Sequence, residues 1–213
     1  MSEAKFLPMF PLELVAFPGE ELKLHIFEPR YKQLFSECEH EQRTFGIPAY
    51  IDGKIAEYGT EMELVQIYKR YPDGELDVLT AGMRAFHLER FIREVPDKLY
   101  AGAEVTPLEN DSTTFPVTMA ELVRQYERLH KLLQTPRIRQ DLSEPNVSFT
   151  IGHELGMTLL QKVRLLSMPK EVDRQLMIVE HLHNIIPLVE AAEQTRKRVR
   201  GNGHFVKPPK LDF

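Results

Sequence analysis

The stretch MFPLELVAFPGEELKLHIFEPRY, Met9 to Tyr31, decides how the rest of the chain is read. Leu22, Leu24 and Ile26 alternate with Glu21, Lys23 and His25, the two-residue period of a strand with one buried face and one wet face. Pro29 ends that strand, because it lacks an amide hydrogen and its fixed φ suits the first turn of a helix. Tyr31, Leu34, Phe35 and Cys38 then follow at offsets of three, four and seven, so the spacing predicts a strand feeding directly into an amphipathic helix. Upstream, Pro11 and Phe17-Pro18-Gly19 force turns on either side of an apolar segment, Leu12 to Phe17, expected on the same core.

Beyond the helix the strand period returns. Phe45, Ile47, Ala49 and Ile51 alternate with Thr44, Gly46, Pro48 and Tyr50, and Pro48 argues for an edge or bulged position. Asp52-Gly53 reads as a turn, and Met62 to Leu79 as a hairpin about Pro72-Asp73-Gly74. Further strands are expected over Arg84–Phe91, after Gly82, and over Tyr100–Leu108. Closely spaced strands with short turns predict a small barrel or curled sheet, since closure removes the exposed edges of an antiparallel sheet.

A polar run from Asn110 to Pro116 marks a boundary, after which the period is helical. Val117–Leu133 places Leu122, Tyr126, Leu129 and Leu133 on one stripe, with Thr118 and Glu121 as a capping box. Phe149, Ile151, Leu155, Leu159, Val163 and Leu166 mark one helix or two, with Gly156 as the candidate break. Val172, Leu176, Val179, His183 and Ile186 define a last helical face that stops at Pro187 or runs through it. The expected division is a barrel over 1–110, a helical part over 116–200, and a tail over 201–213, where Pro208-Pro209 lies.

Three groups of residues carry a family resemblance. Phe10-Pro11-Leu12, Phe17-Pro18-Gly19 and, most specifically, Leu24-His25-Ile26-Phe27-Glu28-Pro29-Arg30-Tyr31 resemble the opening of the Lon protease amino-terminal, or substrate-binding, domain. Tyr71-Pro72-Asp73-Gly74 and Gly82-Met83-Arg84-Ala85-Phe86 are similar to that family's hairpin and its glycine-x-arginine strand start. The helical half is similar too, with Gln161 matching a family glutamine while Arg174 and Leu176 depart from the family spacing. The resemblance implies an α+β fold: a PUA-like pseudobarrel crossed by one helix, followed by an α-helical bundle. It also implies recognition of unfolded or extended polypeptides, with a separate protease or chaperone as a candidate partner.

Composition narrows the chemistry. The 213 residues are 42% hydrophobic and 28% charged, ordinary globular values, and the net charge of -5 gives no overall pull toward nucleic acid or anionic membranes. No stretch approaches the about 20 apolar residues of a membrane helix, so a soluble, cytoplasmic protein is expected. Cys38 is the single cysteine, which excludes an intramolecular disulfide and suits a reducing compartment; its helical spacing makes it a buried small hydrophobe.

No catalytic site, metal site or cofactor is expected. A phosphate loop needs G-x-x-x-x-G-K followed by Ser or Thr, but Gly53-Lys54 is followed by Ile55. No serine stands in a protease context, and the chain ends before an ATPase or protease module, so a stand-alone, non-enzymatic protein is expected, for which a peptidase S16 label would describe kinship and not an activity. His153-Glu154 opens like a zinc-protease helix, yet Met157 stands where the second histidine belongs. His181 and His183 sit two apart, on different sides of a helix. The basic run Arg196-Lys197-Arg198 with Arg200 suits a helix carboxyl end, with RNA or an acidic partner the alternative. Glu28, Arg30, Tyr31 and Arg84 are the candidate binding residues; for them the competing reading is a salt bridge and packed ring that fix the turn. The expected function is a non-catalytic polypeptide-binding module, with an RNA-binding PUA-like protein as the alternative.

Overall fold

The computed structural model describes residues 3–134 and 145–202, and the side chains of 199–202 are not among what is described. The expected tail from 203 onward and most of the loop 134–145 lie outside the described residues. Compact packing divides the chain into a first unit, 1–114 with 141–174, and a second, 115–140 with 175–213.

The first unit is built on a six-stranded antiparallel sheet ordered β1-β6-β5-β4-β3, with β2 also paired to β5. The strands are β1 (Lys5–Pro8), β2 (Glu21–Ile26), β3 (Phe45–Ile51), β4 (Lys54–Arg70), β5 (Leu76–Ile92) and β6 (Gly102–Pro107). Closure comes from the segment after β1: Met9 donates to the Ala101 carbonyl at 2.8 Å on the β6 side, and Phe10 donates to the Gly46 carbonyl at 2.8 Å on β3. Leu12 and Tyr50 exchange with the same edge, Leu12 N–H to the Pro48 carbonyl and Tyr50 N–H to the Leu12 carbonyl. The sheet therefore curls into the pseudobarrel that the resemblance implies.

Helix α1 (Pro29–Glu41) starts on Pro29 and buries Tyr31, Leu34, Phe35 and Cys38, as the spacing predicts. Its face packs with Phe10, Ile26, Phe45, Ile47, Met62, Leu76 and Val78 in one cluster, while Leu7, Met9, Phe86, Ala103 and Val105 fill a second. β3 departs from the expected alternation, since five consecutive residues from Phe45 to Ala49 are buried. Phe45 and Ile47 belong to the α1 cluster, while a Cβ on Gly46 would meet Met9 and Phe86 of the other, so both faces of β3 are covered. The expected irregularity at Pro48 is present as a register shift between Pro48 and Tyr50. The β3–β4 turn places Asp52 and Gly53 at φ 50° and 79°, the left-handed pair a tight hairpin requires.

The expected break before Arg84 is absent: β4 and β5 each run 17 residues, and Gly82 lies inside β5 opposite Met62. The glycine serves a close approach. A Cβ there would lie 2.2 Å from the Phe17 carbonyl oxygen, and Gly82 exchanges backbone hydrogen bonds with Gly19 and Glu20. Gly82→Ala is expected to cost about 1–3 kcal/mol through this clash, read as a lower urea midpoint; an unchanged midpoint would contradict the packing.

At the far end of the hairpin, His25 on β2 bonds Asp77 through Nδ1 at 2.7 Å and Glu75 through Nε2 at 3.0 Å. The Asp77 hydrogen bond leads in raising its pKa above 6.5. A raised pKa means the charged form is favoured in the fold, so this contribution is complete below 6.5 and fades as pH climbs through the folded value. His25→Asn should therefore flatten the fall of the thermal midpoint on the alkaline side of 6.5; an unchanged pH profile would count against the pairing.

Helices α3 (Val147–Ile151) and α4 (Leu159–Ser167) flank the break expected at Gly156, which has φ +66°. The expected grouping of 116–200 is revised here, because this segment packs with the sheet: Phe149 stacks on Phe17 with ring centroids 5.5 Å apart. Its anchor is Arg174 in the first turn of α5 (Glu171–Asn202), 1% exposed and paired to the fully buried Glu171 at 2.8 Å. Arg174 also donates to Ser148 Oγ at 2.8 Å, the Met168 carbonyl at 2.7 Å, Asn110 Oδ1 at 2.9 Å and Asn146 Oδ1 at 3.1 Å, and its guanidinium lies 4.1 Å from the Phe149 ring centroid.

In the second unit, α2 (Pro116–Leu133) buries Leu122, Gln125, Tyr126 and Leu129, whereas Leu133 is exposed. The expected Thr118–Glu121 capping box is not formed: Pro116 occupies the first turn behind Phe115, which places Thr118 within the helix, and Glu121 instead pairs with Arg124 and His183. A capping box does form at Thr158 and Gln161, on α4 of the first unit. α5 runs through Pro187 and buries Ile178, Val179, Leu182 and Ile186, so Leu176 and His183 of the expected face are exposed.

Candidate functional site

Among the described residues, the sheet leaves one long edge of β4 without a strand. β3 pairs with β4 from Ile51↔Lys54 to Phe45↔Met62 and no further, while β5 pairs with β4 as far as Arg70↔Leu76. Glu63–Arg70 therefore has a strand neighbour only on its β5 side among the described residues, over about 27 Å at about 3.4 Å per residue. Backbone N–H and C=O groups along such an edge are the template for adding another strand.

A groove of about 460 Å³ runs beside this edge. One wall is Glu63–Ile67; the other is the carboxyl end of α1, Cys38, Glu39 and Gln42, continued by Arg43 and Thr44. Leu64 and Ile67 are half buried against the α1 cluster and Cys38 is buried in it. Burial pushes the Cys38 thiol up to about 12, which favours the protonated, apolar form over the thiolate. The charged rim is largely self-paired: Glu39 with Arg70, and Arg43 with Glu41 at 2.9 Å and Glu37 at 3.4 Å.

Register shifts fall between Leu64 and Gln66 and between Ile67 and Lys69. The residues passed over, Val65 and Tyr68, are each 50% exposed. Bulges of this kind twist an edge and shorten the ladder a guest can form, which discourages edge-to-edge association of copies and limits affinity.

The four residues singled out from sequence do not line this groove. Arg30 pairs with Glu28 at 2.7 Å and stacks 4.6 Å from the Tyr31 ring centroid, and the buried Tyr31 ring sits 4.2 Å from that of Phe10. This geometry locks the strand-to-helix junction. Arg84 lies elsewhere, on β5, donating through Nε to Glu61 Oε2 at 2.8 Å. Glu61 is 2% exposed; burial pushes its pKa up, but hydrogen bonds from Arg84, Lys5 and Thr44 outweigh that and hold it below 4.5. His153, the false zinc-helix start, bonds Glu20 Oε2 at 2.8 Å beside Phe17. No cluster of three or more His, Cys, Asp or Glu side chains suited to a metal occurs among the described residues, and no described helix is long and apolar enough to cross a membrane.

The groove residues Glu63–Ile67 escaped sequence reasoning, because the edge is open only where β3 stops pairing with β4.

A curled antiparallel sheet crossed by one helix, with an open strand edge beside a groove, defines an α+β fold. The chain belongs to the ATP-dependent protease La (LON) substrate-binding domain family, whose model matches residues 6–184. Among solved structures it is similar to a Lon N-terminal domain protein from Xanthomonas campestris, at 26% identity and a TM-score of 0.67, covering 83% of this chain and 98% of that one. The N-terminal domain of a Mycobacterium avium complex Lon protease shares the fold at 15% identity and a TM-score of 0.61, covering 84% of this chain and 98% of that one. No curated protein matches the chain.

Proposed function

We propose that the chain is a non-catalytic module that binds extended or unfolded segments of other polypeptides, and that they lie in the groove between α1 and β4. The observation that carries this reading is the open edge Glu63–Arg70 beside about 460 Å³ of groove. Strand addition supplies main-chain hydrogen bonds whatever the guest sequence, and Leu64, Val65 and Ile67 offer apolar contacts to alternate side chains. Breadth follows from main-chain recognition, and weakness from the interrupted ladder. Capture without cleavage suits work alongside a separate protease or chaperone. Cys38, the single cysteine and a free one, suits a reducing compartment such as the cytoplasm.

RNA binding is the less favoured reading. The net charge is -5, and Arg196 in the basic run is already paired with Glu193 at 3.2 Å. Fluorescence anisotropy with a labelled unfolded polypeptide is expected to give a dissociation constant of about 10–100 µM, some 5–7 kcal/mol. No binding at several times that concentration, or a salt-dependent shift with structured RNA in its place, would overturn the proposal.

A further inference from the structure

The lane that β3 leaves open beside β4 is bounded at both ends. At one end stands β3 itself, with Phe45 opposite Met62. At the other, Arg70 on β4 reaches across to Glu39 on α1 and pairs with it. Glu39 lines the groove, and Arg70 lies three residues beyond Ile67, the last groove residue on the strand.

The register places this pair on the side of the sheet that faces the helix. Directly opposed residues of an antiparallel ladder share a face. Leu76 and Val78 of β5 belong to the α1 cluster, and their partners on β4 are Arg70 and Ile67; Leu64 stands opposite Thr80, two residues further along β5. Arg70, Ile67 and Leu64 therefore share the α1 face, and the Glu39–Arg70 pair crosses the lane on the side where a guest's α1-facing side chains would lie. A guest strand that ends at Ile67 does not meet the pair. One that follows the whole of Glu63–Arg70 must part it.

Parting it leaves the strand in place. Arg70 is 56% and Glu39 39% exposed, and neither has another hydrogen-bond or ion-pair partner among the described residues. β4 is held independently, because Arg70 is opposed by Leu76 on β5 and Lys32 Nζ of α1 donates to the Asp73 carbonyl in the turn beyond, at 3.0 Å. An exposed pair of this kind biases an equilibrium by only about two- to fivefold, so a guest can open it.

We propose that the Glu39–Arg70 pair is an autoinhibitory clasp on the groove, closed in the free chain and opened by an extended guest long enough to pair beyond Ile67. The proposal rests on the reading of the β4 groove as a polypeptide site and adds to it a cost that depends on guest length. A long guest binds more weakly than its contacts allow, in proportion to the fraction of molecules whose clasp is open.

The test is a titration of the full chain, labelled at backbone amides, with capped peptides of alternating valine and threonine, five and eight residues long. These guests are uncharged, so the variants alter no ion pair with them. Glu39→Gln and Arg70→Gln each neutralise one half of the clasp, and each is expected to raise the ratio of eight-residue to five-residue affinity about two- to fivefold. The double variant should raise it no further than the stronger single one, because one pair is broken only once. Glu39→Arg with Arg70→Glu rebuilds the pair in the opposite sense and should return the ratio to its wild-type value. Shifts at the Glu63–Ile67 amides with a ratio unchanged in both single variants, or still raised in the exchanged pair, would overturn the clasp and leave the groove standing. Absence of any shift at those amides with either peptide would defeat the groove, and the clasp with it.

Discussion

Arg174→Ala is expected to lower the thermal midpoint by roughly 6–20 °C, because removing one partner of a buried ion pair costs about 3–5 kcal/mol in a unit of this size. The residue is 1% exposed, and its loss removes the cation paired with the fully buried Glu171 carboxylate, which retains the Ser148 donors, and takes away the Arg174 hydrogen bonds to Asn110 Oδ1 and the Met168 carbonyl. These partners come from the linker after β6, from α3 and from the end of α4, so the pair ties those segments to the start of α5. Replacing both members, Arg174→Met with Glu171→Leu, should recover a large part of the loss, since an apolar pair removes the uncompensated charge. A single variant as stable as the wild type would show that the network contributes nothing.

N-methylation of alternate backbone nitrogens in a bound peptide is expected to reduce affinity for the β4 groove at least about tenfold, roughly the loss of one or two charge-neutral hydrogen bonds at about 1 kcal/mol each. The same modification on the intervening nitrogens, which face away from the edge, should have little effect, because the antiparallel ladder uses every second residue of the guest. Side-chain recognition alone predicts no such alternation. Isothermal titration with the two methylated series distinguishes these outcomes without altering the protein, whose own β4–β5 pairing a proline at Gln66 or Ile67 could disturb.

Local pattern carried much of the architecture. Pro29 and the Tyr31, Leu34, Phe35, Cys38 spacing were legible because both strand and helix at that junction follow simple periods and a single proline separates them. Asp52-Gly53 and Gly74 marked their turns because left-handed backbone is what those residues tolerate. What sequence did not reveal depends on residues far apart in the chain. Gly82 looked like a strand start, but its smallness answers to the Phe17 carbonyl. β3 looked half exposed, yet it is covered from both sides by Met9 and by α1. Thr118 looked like a cap until Pro116 claimed the first turn of α2. The groove belongs to this second kind, since an edge is open only by virtue of where a neighbouring strand stops, and no residue type announces that. Arg84 was legible as a position of interest, though its partner, the buried Glu61 shared with Lys5 and Thr44, is set by strands far apart in the chain.

The central claim is that Glu63–Arg70 receives an incoming strand. Hydrogen–deuterium exchange on the full chain, with and without a saturating unfolded polypeptide, measures this most directly. Slowed exchange at alternate amides of Glu63–Arg70, with β2 and β6 unchanged, is the predicted result. Polypeptide binding that leaves those amides exchanging at their free rate would contradict it.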